Sequence, residues 1–236
     1  MPEQTIRAGD ARDAPAGFAP DARDARAWRL AETLGARLCH DLAGLAGTLA
    51  GAVEMLAEAR GHDPDALREA DQAARELTAR LRLLRAAWGG ECGALDRDGI
   101  AALLPGLAAS GRVAVDLSGL TRRYPEDFAR ALLNLLLLAH EAVPRGGAVA
   151  LADGPNGGVL ARIEGPRAAW PPALVALLAA GDDGDDASGP AVAAGPRGVQ
   201  APLLVALARR AGLRLRFVAA RAGPTAPPAL LLHTRD

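Results

Sequence analysis

The sequence predicts an α+β protein: an N-terminal helical hairpin forming a dimeric four-helix bundle, followed by a two-layer α/β sandwich domain. Three observations predict it. Large apolar residues recur in steps of three and four over residues 30–56 and again over 67–88. A break, Gly89-Gly90-Glu91-Cys92-Gly93, then changes the texture. Beyond it, short alternating runs of strand type are interspersed with helical ones. A length of 236 residues allows one large domain or two small ones, and a composition that is 50% hydrophobic supplies a core.

Residues 1–24 mix Ala, Asp, Arg, Gly and Pro without period and read as a flexible leader. In the first helix Leu34, Leu38, Leu42, Leu45, Leu49, Val53 and Leu56 define one apolar stripe, which ends near Arg60-Gly61. Asp63-Pro64-Asp65 is a helix start, with Asp63 as N-cap and Pro64 at the first helical position. The second helix carries a seam of Leu67, Ala70, Ala74, Leu77, Leu81, Leu84 and Trp88. The short loop makes the pair antiparallel, and two helices alone leave much apolar surface wet. A second identical chain covers it, so residues 25–89 are expected to dimerise as a bundle.

In residues 94–236, residues 112–117 alternate as a strand and Pro125 opens a long apolar helix to residue 142. Residues 148–151 and 159–163 form a hairpin around Asp153-Gly154-Pro155-Asn156-Gly157. A short helix over 171–180, a loop over 181–195, a helix over 199–211 and strands over 213–219 and 229–233 complete an antiparallel sheet covered by helices.

Composition excludes several function classes. A net charge of −1 marks neither a nucleic-acid surface nor an acidic scaffold. All 27 basic residues are Arg, so a P-loop lysine and a lysine Schiff base are both excluded. Cys39 and Cys92 are too few for a disulfide framework or a Cys-rich zinc site. No apolar run reaches the ~18 residues that span a bilayer, and the polar start MPEQTIRAGD has no signal core. The expectation is a cytoplasmic protein with no membrane or nucleic-acid partner.

One residue stands out chemically. At about 100° per residue, His40 lies roughly 160° from both Leu38 and Leu42, opposite the stripe. Its neighbours on that face are Ala36, Ala43, Gly44, Gly47 and Gly51. Each glycine inside a helix costs about 1 kcal/mol relative to Ala. A low-relief surface on which another protein approaches the imidazole explains three of them; a solvated histidine on a glycine-tolerant helix is the other reading. Arg37, one turn before, is the nearest cation able to meet a phosphate or an acidic partner, or is an ordinary exposed arginine. Asp41 follows directly and, although on a different face, can orient the ring. Cys39 reads as a small apolar packing residue, and Asn134 as a buried polar group with a local partner.

The segment Ala36-Arg37-Leu38-Cys39-His40-Asp41-Leu42 resembles the phosphoacceptor helix of the histidine-kinase dimerisation domain, and most closely the ChpT-type histidine phosphotransferases. Glu164-Gly165-Pro166-Arg167-Ala168, residues 171–181, Gly195-Pro196-Arg197-Gly198-Val199-Gln200 and Ala211-Gly212 are similar to that family's C-terminal domain. The resemblance implies a degenerate GHKL/Bergerat-like fold that has lost ATP. Asn134 matches the first of the kinases' two asparagines, but Leu138 replaces the second, and the Asp-x-Gly-x-Gly turn reads Glu164-Gly165-Pro166-Arg167-Ala168. Leu45 stands where many kinases have proline, and Gly44 where those with phosphatase activity often have Thr or Asn.

The function so implied is a phosphorelay enzyme with no cofactor of its own. His40 accepts a phosphoryl group from a receiver aspartate of a CckA-like hybrid kinase and passes it to CtrA-like or CpdR-like response regulators. Mg²⁺ comes from the receiver. An ATP-dependent histidine kinase and a non-catalytic dimeric adaptor are the alternatives.

Overall fold

The computed structural model describes residues 22–59, 63–89, 92–107, 112–181, 195, 198–218 and 227–234. The leader up to residue 21, most of the loop over 181–195 and the C-terminal end expected for the first helix lie outside these residues.

Helix α1 runs Ala22–Glu58, so the last residues assigned to the leader are already helical. Helix α2, Pro64–Trp88, starts as its sequence dictates: Asp63 accepts from the backbone N–H groups of Asp65 at 2.9 Å and Ala66 at 3.1 Å, and Pro64 fills the first turn. The face that α2 turns inward differs from the expected seam. It consists of Ala66, Ala70, Ala73, Arg80, Leu83, Leu84 and Ala87, whereas Leu67 and Leu81 remain 59% and 39% exposed. Alanines let the two helix axes approach, and that close contact selects the small-residue side of α2 over the leucine side.

After α2, the bridge between Leu95 and Tyr124 ties the linker to the entry of a later helix. A five-residue helix α3, Arg97–Ala101, capped by Asp96, and a tight turn at Leu104–Gly106 were not visible as periodic patterns. Gly106 is pressed against α2: a Cβ there would lie 2.4 Å from the Ala79 carbonyl oxygen, so only glycine fits.

The second unit is a five-stranded sheet in the order β1-β2-β3-β5-β4. Its strands are β1 (Val113–Gly119), β2 (Gly147–Asp153), β3 (Val159–Glu164), β4 (Leu213–Val218) and β5 (Ala229–Thr234). Helix α4, Glu126–Glu141, connects β1 to β2, and those two strands pair parallel. The other pairings are antiparallel, so the sheet is mixed and not purely antiparallel. A helical crossover returns the chain to the same end of the sheet, which forces the parallel pair. Helices α5 (Pro172–Ala179) and α6 (Gln200–Arg210) complete the helical layer.

Along β2 and β3 the alternate residues Val149, Leu151, Val159, Ala161 and Ile163 are buried, and α4 buries every residue from Ala131 to Ala139. Leu83, Leu84 and Ala87 of α2 belong to this same cluster, and Leu38 and Leu42 of α1 pack against it. The foot of the hairpin therefore shares one core with the sheet unit, and this fixes where α1 stands relative to α4. At the far end of β2, Asp153 gathers Tyr124, Thr121 and Arg122 around its carboxylate and closes the corner between β1 and α4.

Candidate functional site

His40 lies midway along α1 with its side chain 63% exposed. Ala36, Ala43, Gly44, Gly47 and Gly51 flank it and are all exposed. Around Gly44, Gly47 and Gly51 a Cβ would meet nothing within 4 Å. The ring thus stands on a low ridge with open space on that side, as the angular argument predicts. Cys39 is exposed too, contrary to the packing role expected of it, because α2 contacts the other side of α1.

Behind His40 lies a network of charges. The Asp41 Oδ1 atom is 3.4 Å from His40 Nδ1 and accepts from Arg37 Nε at 2.8 Å. Its second oxygen, Oδ2, accepts from Arg80 Nη2 of α2. Arg80 Nη1 donates to the Gly106 carbonyl at 3.1 Å, and Arg37 Nη2 donates to Glu141 Oε1 at 2.7 Å. Four ionic side chains from α1, α2 and α4 meet there. Burial pushes the Asp41 carboxyl up, but hydrogen bonds from Arg80 and Arg37 outweigh it and hold the group below its ordinary range. Burial pushes Glu141 above the usual value against the pull of Arg37. His140, beside it, is held low by burial and by the charge of Arg80.

Arg37 is not a surface cation waiting for a phosphate. It is only 8% exposed, because the hairpin seats α1 against the end of α4, and its guanidinium pairs with the carboxylates of Asp41 and Glu141. Asp41 does reach the imidazole, although adjacent helix positions diverge, since its carboxylate is drawn back along the helix by Arg37. Sequence reasoning missed Arg80 and Glu141. A sequence signal existed for Glu141, an acid in the last turn of a helix, where the dipole disfavours it; Arg80 lies off the expected seam and turns inward only because α2 packs on its alanine face.

Asn134 is fully buried and fully engaged. Its amide donates to the Ala87 and Arg130 carbonyls, each at 2.9 Å, while its oxygen accepts from Trp88 Nε1 at 3.0 Å and Gln200 Nε2 at 2.9 Å. The expected local partner is Arg130; the others come from α2 and α6. Leu138, one turn on, is a core residue. The Glu164–Ala168 segment forms a compact turn closed by the Ala168 N–H on the Gly165 carbonyl at 3.1 Å.

The fold and this site define a class. Residues 97–223 match the family model "Histidine phosphotransferase C-terminal domain", and the chain belongs to that family. Among curated proteins it is similar to the protein phosphotransferase ChpT of Brucella abortus (strain 2308), with 30% identity over 125 residues, which is 52% of this chain and 59% of ChpT. The aligned region thus spans about three-fifths of that relative. A solved structure described as a bacterial phosphotransferase shares the fold, with a TM-score of 0.65 and 24% identity, covering 87% of this chain and 95% of that one. Among the described residues, no helix is long and apolar enough to cross a membrane.

Proposed function

We propose that this chain is the histidine phosphotransferase of a phosphorelay, with His40 as the phosphoacceptor. The observation that carries the reading is the exposed imidazole on its open glycine ridge, with Nδ1 turned to a carboxylate and Nε2 left for a partner. A neutral imidazole carrying its proton on Nδ1 has its lone pair on Nε2. That lone pair forms the new N–P bond as the bond between phosphorus and the receiver's aspartyl oxygen breaks, its electron pair leaving with the carboxylate. The phosphorylated ring carries a positive charge, which Asp41 stabilises. A second receiver aspartate then attacks the same phosphorus and restores the neutral imidazole.

The partners are the receiver domain of a CckA-like hybrid kinase and CtrA-like or CpdR-like regulators, whose acidic pockets bring the Mg²⁺. The chain works without ATP in this reading. Asn134, which would have to hold a nucleotide's metal, is committed to Trp88, Gln200, Ala87 and Arg130, and Leu138 offers no ligand. The active unit is a cytoplasmic homodimer, supported by exposed Val53, Leu67 and Leu81 on the hairpin.

The test is relay between purified receivers, one of them charged with acetyl phosphate. Wild type moves phosphate and acquires an acid-labile, base-stable label; His40→Ala does neither. Relay through His40→Ala would sink the reading. Labelling by ATP alone would instead make the protein a kinase, and receiver binding without transfer would make it an adaptor.

A further inference from the structure

Neither Arg80 nor Glu141 touches the imidazole, yet both are joined to it, Arg80 through Asp41 and Glu141 through Arg37 and Asp41. Asp41 sits at an i+1 position, from which a free side chain has no reason to face His40. Both its oxygens are occupied by guanidinium groups from different helices, and the shared oxygen, Oδ1, is the one 3.4 Å from His40 Nδ1. Arg80 can hold this pose because its second arm is anchored on the Gly106 carbonyl at 3.1 Å, where α2 and the turn meet so closely that only glycine fits. Arg37 is anchored in the same way on Glu141 at 2.7 Å. A lysine has no fork with which to span two acceptors.

The position is also an expensive one for a charge. Arg80 is 8% exposed on the inward face of α2, among alanines and leucines. A leucine there would fill the seam without the desolvation cost of a buried cation. Packing alone therefore does not account for it.

We infer that Arg80 is a positioning residue that locks Asp41 as the acceptor for His40 Nδ1–H and so aims Nε2 outward, with Glu141 completing the clamp through Arg37. The second domain thereby takes part in phosphotransfer geometry through α4, without touching the phosphoryl group. The inference rests on His40 being the phosphoacceptor, but its first readout does not.

That readout is the tautomer of His40, followed by ¹⁵N shifts of the imidazole in the full chain at alkaline pH, with no partner present. In wild type the Nδ1–H form dominates. In Arg80→Gln it gives way to the Nε2–H form, and the rate of phosphate uptake from an acetyl-phosphate-charged receiver falls about tenfold or more while receiver affinity is unchanged. Arg80→Lys, which restores the charge without the fork, recovers part of both. If folded Arg80→Gln keeps the wild-type tautomer and rate, or loses rate only through receiver affinity, the inference is overturned. Should Arg80→Gln fail to fold, Glu141→Gln carries the test: a partial tautomer shift supports the clamp, and none overturns it. A wild type that takes no phosphate but shows the tautomer shift would remove the phosphoacceptor reading and leave the clamp standing.

Discussion

The carboxylate of Asp153 accepts from Tyr124 Oη at 2.6 Å, the Thr121 backbone N–H at 2.9 Å, Thr121 Oγ1 at 2.7 Å and Arg122 Nε at 3.0 Å. Burial pushes this group up, but the bonds from Tyr124, Thr121 and Arg122 outweigh it and hold it well below the usual carboxylate range. A depressed folded value means that ionised Asp153 stabilises the fold at pH above the unfolded value and that this contribution is lost as pH falls through the folded one. Stability is therefore expected to decline as pH drops below about 4, and less steeply in Asp153→Asn, when urea midpoints are compared across pH. At pH 7, Asp153→Ala strands the buried Tyr124 hydroxyl and costs about 2–4 kcal/mol by the same measurement. None of these partners is near Asp153 in sequence, and for that reason a residue that reads as part of a hairpin turn conceals its role as a corner clamp. His40 was legible for the opposite reason. Its exposure follows from helical angles alone, whereas its two supporting arginines depend on which helix packs where.

At the scale of elements, α1 carries an unusual defect on purpose-built ground: glycines at exposed interior positions with nothing beside them. Gly47→Ala is expected to raise stability by about 0.5–1 kcal/mol, read as a higher melting temperature, because the backbone entropy cost falls and no clash arises. Gly44→Trp should leave the helix folded by circular dichroism yet slow phosphate uptake, since it raises a wall beside the ring. If that variant relays at the wild-type rate, receivers do not dock on this ridge. The long helices and most strand positions were readable from periods of 3.6 and 2, because burial on one face imprints them locally. The α3 helix and the turn at Leu104–Gly106 were not, being too short to show a period. Parallel pairing of β1 with β2 was hidden as well, since register between distant strands leaves no local mark.

At the scale of the molecule, the hairpin and the sheet unit meet through one continuous core, and only the foot of the hairpin is covered by it. Further up, Leu67 and Leu81 point outward while α2 gives its alanines to α1. The sequence pattern assigns both leucines to the seam between the two helices of the hairpin, and the structure leaves them exposed instead. Leu67→Glu combined with Leu81→Glu is expected to convert a dimer into a folded monomer, judged by light scattering after size exclusion. A wild type that is already monomeric would remove the bundle while leaving the shared core untouched. That core has a practical corollary. The Trp88 indole bridges the seam between the two units through its bond to Asn134, so its share of the emission, isolated from that of Trp28 and Trp170 as the difference from Trp88→Phe, is a native gauge of that joint. Opening it by a docking receiver, by acid or by mutation would register in the emission spectrum without any introduced dye.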